Sequence, residues 1–376
     1  MKLKKNCNTM IIREITGYLE SIAPKAFQES YDNAGLIIGD PEATITSVLI
    51  TLDVTEAVID EAIETGCELI LAHHPIIFKG LKRLNGNSFV ERCVIKAIKN
   101  DIAIYAAHTN FDSISGGVNS MICEKIGLTN VGILAPVKDQ LLKLVTFIPD
   151  DHLEIVRDAV FSAGAGEIGK YDKCSFNTNG TGTFRGGESS NPFLGEKGEF
   201  YSGKESRFET ILPRHLKNSV INALIKSHPY EEVAYDLFPL ENTLPQVGAG
   251  MIGELPGAEN EIDFLSRLLT IFECKTLKHT YLLGKPVRKV AVCGGAGGFL
   301  LSQAIALGAD IFVTADMKYH DFFDAEEKIV IADIGHYESE QFSKELFYEI
   351  LIKKFPNFAL RLSEVKTNPV LYLCQR

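Results

Sequence analysis

No Cys-x-x-Cys pair occurs in the sequence, although it holds 8 cysteines, at positions 7, 67, 93, 123, 174, 274, 293 and 374. Thiols scattered in this way argue against a zinc ribbon or a disulfide framework and suit free cysteines in a reducing cytoplasm. Long apolar runs are missing too: none approaches the ~18–20 residues that a membrane span needs. Met1–Thr9 is basic, but no apolar signal core comes after it, so a cytoplasmic protein is expected. Finally, there is no dense cluster of Lys and Arg, and the formal net charge is −11. Nucleic-acid affinity rests largely on clustered positive charge, so a broad phosphate-binding surface is not expected. Neither a membrane nor a nucleic acid is an expected partner.

What is present is ordinary globular material. Hydrophobic residues make up 45% and charged residues 23% of 376 positions, enough for a full core spread over two or three domains. Apolar β-rich runs alternate with helical patterns, the signature of an α/β fold. Helices are predicted over 11–23, 55–65 and 89–100, with strands at 47–52, 68–72 and 102–106. Towards the C-terminus the plan recurs: strands at 289–293, 310–314 and 328–332, a Gly-rich loop at 294–298 and a helix at 299–307. EAIETGCELILAHH (61–74) aligns without gaps on QAIALGADIFVTAD (303–316), and AIYAAHTNFD (103–112) lies against VIADIGHYESE (330–340). The second pair matches His108 with His336 and Asp112 with Glu340. Two shared motifs in the same order make a duplicated α/β unit the better reading.

Between the related halves the pattern changes to strand–helix–strand twice over: strands at 141–148, 171–185, 206–212 and 232–238, helices at 151–163 and 215–226. That order is the ferredoxin-like split βαβ arrangement. The expected division is 1–137 for the first half, 138–243 for an inserted domain and 244–376 for the second half. GGESSNPFLGEKGEFYSG (186–203) reads as a flexible loop.

Sites in α/β sheets form just past the carboxyl ends of strands. Those positions hold His73 and His74, His108 and Asp112, and His336 and Glu340. Imidazole with carboxylate is a ligand set for Zn, Fe, Mn, Co or Ni, and several carboxylates favour sharing between two ions. A lone histidine at a strand end is more often a hydrogen-bonded structural residue; two such ends with two His-x-x-x-acid units make the metal reading the stronger one. If 335–346 is helical, His336 and Glu340 share a face at i and i+4. His108 is open between ligand, hydrogen-bond partner of a ligand and proton carrier. The run CGGAGGF (293–299) lacks the Lys-Ser/Thr ending of a P-loop and the spacing of a dinucleotide fingerprint. A tight turn with close helix approach accounts for it at least as well as a phosphate cradle.

The set YDNAGLIIGD (31–40), LAHHPIIF (71–78), AAHTNFDS (106–113), VAVCGGAGG (290–298), TADMKYHD (314–321) and GHYESE (335–340) resembles the NIF-three-like family, whose bacterial members are often labelled GTP cyclohydrolase 1 type 2 homologues. The resemblance covers roughly 1–135 and 245–376, and the middle segment is similar to the PII/CutA-like insert of the longer members. It implies a dinuclear centre of two divalent metal ions per subunit, held by His73, His74 and Asp112 with His336 and Glu340, Glu340 bridging. It also implies a toroidal homohexamer, with His108 and His320 near the metals in catalytic roles. Tyr31 departs from the family, many members of which carry Trp there. A metal-dependent hydrolase acting on a small molecule such as a nucleotide is the first expectation. A non-catalytic hexamer that stores, delivers or senses metal is the second, and an adaptor scaffold with structural metals is the weakest. The cyclohydrolase label transfers poorly, because fold analogy cannot supply a reaction.

Overall fold

The computed structural model describes residues 9–373; Cys7, Cys374 and all but the last residue of the basic Met1–Thr9 segment lie outside them. Two compact units divide the chain, one running up to Pro136 and resuming at Pro245, the other spanning Val137–Leu244. Among the described residues no helix is long and apolar enough to cross a membrane. Cys67, Cys93, Cys123, Cys174, Cys274 and Cys293 are free thiols.

Among the described residues the first unit is built on two large sheets, with a two-stranded pair of Met10–Ile11 and Thr44–Ile45 beside them. In the five-stranded one the order is Ala359–Leu362, Ser47–Thr51, Leu69–Ala72, Ala103–Ala106, Gly35–Ile38, the first four parallel and the last antiparallel. Its three central strands are buried at every position, as a parallel sheet covered on both faces must be. The helix Glu56–Thr65 starts where the Thr55 side chain accepts from Val58 N, and stops at Gly66 with φ 69°. Such a cap contributes about 1 kcal/mol, and Val58, Ile59 and Ala62 then pack into the core with Leu49 and Ile70.

The six-stranded sheet has the order Lys278–His279, Val330–Asp333, Ile311–Ala315, Val287–Ala296, Leu244–Glu259, Thr129–Val137. Val287–Ala296, Ile311–Ala315 and Val330–Asp333 form a parallel core, the counterpart of Ser47–Thr51, Leu69–Ala72 and Ala103–Ala106. The halves are not separate in space. Ala359–Leu362 from the C-terminal part completes the first sheet, and Thr129–Val137 from the N-terminal part edges the second.

Two local expectations need correction. The glycine run has the composition of a loop, but the strand Val287–Ala296 continues through Gly294 and Gly295, with a register shift between Val292 and Ala296; the α-helix after it is only Leu301–Ala306. The helix expected over 335–346 is two helices, His336–Glu340 and Ser343–Lys354.

The Val137–Leu244 unit carries Leu141–Pro149, Ser175–Arg185, Phe200–Pro213 and Tyr235–Leu240 as strands, with helices Leu153–Ser162 and Lys217–Ser227. In spatial order the strands run fourth, first, third, second, all antiparallel, as a split βαβ unit arranges them. Leu144, Ile148, Phe208 and Leu212 face Val156, Val160, Val220 and Leu224 from the helices. The stretch predicted as a flexible loop is partly strand: Phe200 pairs with Arg185, and pairing runs on to Thr210 and Ser175.

Candidate metal centre

The carboxyl edges of the two parallel cores meet, and the side chains beyond them converge. His73 and His74 come directly after Leu69–Ala72, and their peptide N–H groups donate to Leu52 O at 3.1 and 3.0 Å. His108 lies two residues beyond Ala103–Ala106 and leads into the turn of helix Thr109–Asp112, which brings Asp112 round. From the second sheet, Gly335 at φ 96° redirects the chain after Val330–Asp333 into the helix carrying His336 and Glu340.

Glu340 is the focus. Its Oε2 lies 2.9 Å from His74 Nε2, 3.0 Å from His336 Nε2 and 3.8 Å from His73 Nε2. His74 Nε2 and His336 Nε2 are 3.3 Å apart, and His73 Nε2 is 3.6 Å from Asp112 Oδ1. Among the described residues three groups could hold a cation: His73, Asp112 and Glu340; His74, His336 and Glu340; and His73, His74 and His108. Within each, the ligand atoms lie within 4.8 Å of one another.

The outer nitrogens explain why the inner ones point inward. His73 Nδ1 donates to Ala107 O at 2.8 Å. His74 Nδ1 meets Asp53 Oδ1, His108 Nδ1 meets Asp32 Oδ1 and His336 Nδ1 meets Asp316 Oδ2, each at 2.7 Å. Metal-binding histidines are held in this way almost without exception, because fixing one ring nitrogen as donor presents the other as a lone pair. Asp316 keeps its place at φ 55°, a left-handed conformation that aspartate tolerates better than most residues.

Electrostatics mark the centre as built for positive charge. Burial would lower the pKa of His74, but hydrogen bonds to Asp53 and Glu340 overcome it and raise it to about 10. Burial is likewise outweighed at His336, where Glu340 and Asp316 raise the pKa to about 9. Both rings then stand as imidazolium, donating from both nitrogens. His73 moves the other way: burial, with His74 and His108 nearby, lowers its pKa. Burial and the Glu340 charge raise Asp112 well above the ordinary carboxylate range, whereas histidine hydrogen bonds, against the effect of burial, hold Glu340 well below it.

The residues fit a metal by a direct test. His73 Nε2 and Asp112 Oδ1 are buried with no hydrogen-bond partner, and such orphans cost about 1–3 kcal/mol each. Their 3.6 Å separation is too long for a hydrogen bond and suits two ligands on one ion with bonds of ~2.0–2.2 Å. The donor set of imidazole and carboxylate, without thiolate, suits borderline divalent ions. Glycines make the approach possible: a Cβ on Gly295 would fall 2.4 Å from Glu340 Oε1, and one on Gly294 would lie 3.3 Å from Glu340 Cγ. Close packing against the helix of His336 and Glu340 is thus what the glycine run does here. A cavity of about 840 Å³ opens over the centre, walled in part by Tyr31, Phe78, Phe299 and Tyr337.

Six residues singled out in the sequence are brought together: His73, His74, His108, Asp112, His336 and Glu340. His320 is not. It is exposed, in edge contact with Tyr319 and tilted against Phe323 at centroid distances of 5.2 and 6.3 Å, and it does not line the cavity. Sequence reasoning missed the positioning carboxylates Asp32, Asp53 and Asp316. A signal existed for one of them, since the repeat alignment sets Asp316 opposite His74.

A model of the Duf34/NIF3 (NGG1p interacting factor 3) family matches residues 10–369. A protein of Halalkalibacterium halodurans named GTP cyclohydrolase 1 type 2 homolog is 43% identical over 359 residues, 94% of this chain and 96% of that protein. Its namesake in Bacillus subtilis is 40% identical over 371 residues, 96% of this chain and 98% of the relative. Among solved structures, a Bacillus cereus protein related to NIF3 superposes with a TM-score of 0.83 at 40% identity, covering 97% of this chain and 99% of its own.

Proposed function

The chain belongs to the Duf34/NIF3 family, and from that premise we propose that it is a metal-dependent hydrolase of small molecules with a dinuclear centre. In this reading His73, His74, Asp112, His336 and Glu340 would hold the two cations, with Glu340 central to the cluster. The observation that carries it is the pair of orphaned atoms, His73 Nε2 and Asp112 Oδ1, beside a carboxylate that two further imidazoles already address. Five ligands shared by two ions leave coordination positions open, unlike a closed structural site, and the cavity above them has room for a substrate.

When bound, the two cations would supply Lewis acidity, polarising the bond under attack and acidifying the attacking water. The chain's own contribution is orientation and proton movement. Asp53, Asp316 and the Ala107 carbonyl fix the ligand rings, so little reorganisation is needed as charge develops. His108 is the proposed proton carrier: its Nδ1 rests on Asp32 Oδ1 at 2.7 Å, leaving Nε2 free to accept and return a proton. Burial pushes the Asp32 carboxyl up, but hydrogen bonds from His108 and Thr109 hold it at about 2, so it stays an anion that anchors the His108 ring. His320 has no part in this scheme. The reading retains a homohexameric toroid and a PII/CutA-like insert at Val137–Leu244, both resting on the family resemblance.

The test is turnover of GTP and of a panel of nucleotides, amides and phosphate esters by metal-loaded protein, beside His74→Ala and Glu340→Ala. Hydrolysis that both variants lose together with metal supports the proposal. Variants that lose metal but keep activity contradict the site. A fully loaded protein inert across the panel points to metal storage, delivery or regulation instead.

A further inference from the structure

The metal centre leaves the Val137–Leu244 unit unexplained, yet that unit has a cavity of its own, of about 970 Å³. Its floor is set by strand alternation. Phe208 and Leu212 face the helices, so Glu205 and Arg207 on the same strand project from the opposite face. Glu205 is paired in register with Gly180, and Arg207 with Phe147 and Thr178.

A carboxylate in the middle of a sheet face, nine-tenths buried, calls for an explanation. Space for it is cleared by glycine: a Cβ on Gly182 would lie 2.0 Å from Glu205 Oε2. Tyr230 Oη donates to Oε1 at 2.6 Å, the one side-chain hydrogen bond that Glu205 makes among the described residues. A carboxylate offers about four acceptor sites, so most of its capacity is unused. Around it stand aromatic rings. Phe184 lies 6.0 Å from Tyr230 and Phe193 6.4 Å, centroid to centroid, and all three line the cavity. The lining arginine nearest in sequence, Arg207, is already engaged by Glu209, Nε to Oε1 at 2.9 Å, while Glu231 and Glu232 add acidic groups against Arg185. Buried anion, ring faces and an acidic balance favour one ligand chemistry. A cation over an aromatic face within ~6 Å is attracted by the ring quadrupole, and an ammonium N–H would complete the hydrogen bonding of Glu205.

We propose that this unit carries a second ligand site, for a small organic ammonium, with the cationic head on Glu205 and the Phe184, Phe193 and Tyr230 rings around it. The site is independent of the metal centre, and the proposal does not rest on the hydrolase reading.

Calorimetric titration of the full chain with benzylamine and benzyltrimethylammonium, beside benzyl alcohol and benzoate, tests it. The cations are expected to bind at least about tenfold more tightly than the neutral and anionic controls. Glu205→Gln, close to isosteric, should weaken cation binding about 10–100-fold without changing metal content. Phe193→Ala, at a ring already half exposed, should weaken it a few-fold with no risk to the core. Binding should persist in His74→Ala. Cations no tighter than benzyl alcohol, or an unchanged affinity in both Glu205→Gln and Phe193→Ala, would overturn the proposal. Binding that vanishes in His74→Ala would overturn it too, by moving the ligand to the metal cavity.

Discussion

The two parallel cores of the first unit present the same framework, yet they use equivalent positions differently. Past Leu69–Ala72 stands an imidazole, His74; past its counterpart Ile311–Ala315 stands a carboxylate, Asp316, which holds the His336 ring. Past Ala103–Ala106 comes His108, kept at the rim on Asp32; past Val330–Asp333 comes His336, aimed at Glu340. The first half therefore offers His73 and His74 straight from a buried strand end and Asp112 from a short helix. The second offers His336 and Glu340 from a helix and uses its strand end to orient the imidazole. A duplicated scaffold need not give two copies of a site: it gives one site in which like positions have divided ligand and support between them.

The largest expected effect breaks the junction itself. Glu340→Ala removes a carboxylate that imidazoles of both halves address, so metal affinity should fall by more than about 100-fold, beyond the usual cost of losing a ligand's partner. Metal per chain, measured after dialysis, checks this. Next comes the support on each side. Asp53 is mostly buried and bound by both His74 and Thr367, whereas the Asp316 side chain is about half exposed. Asp53→Asn should cost metal affinity near 100-fold and Asp316→Asn nearer 10-fold, read by competition with a chromogenic chelator. Equal losses would mean that the two halves hold their ligands alike.

The third expectation concerns pH. In metal-free protein His74 and His336 titrate at about 10 and about 9, above an unfolded value near 6.5. A raised folded pKa gives stability that is complete below about 6.5 and is lost as pH climbs through the folded values. The Tm of metal-free protein should therefore decline between pH 7 and 10. Metal binding at pH 8 should release protons, visible as a buffer-dependent heat. A flat metal-free Tm together with no proton release would mean that neither ring is protonated before metal arrives. The smallest effect is expected at Tyr31, 69% exposed on the cavity wall: Tyr31→Trp should leave metal content unchanged within error.

Much of this cluster is legible in the sequence, because its side chains sit at or shortly after strand ends. Apolar runs locate 69–72 and 330–333 to within a residue or two, and a histidine beside proline or glycine marks each strand end as a site. The positioning aspartates are harder to see. Asp53 and Asp32 sit in short turns with no periodicity to flag them, and only the fold sets them behind rings 21 and 76 residues away. The family resemblance sets His320 near the metals; in the structure it is exposed, in a turn of 3-10 helix. The glycine run misleads for a physical reason. Its sequence pattern is that of a loop, while its use is to let a strand pass within contact of Glu340.

Anomalous scattering at the metal's absorption edge, from crystals of the full chain grown with that metal, tests the shared centre most directly. Two peaks are expected, one ringed by His73 and Asp112, the other by His74 and His336, with the Glu340 carboxylate reaching both. A peak served by residues of one half alone, with Glu340 turned away, would contradict it.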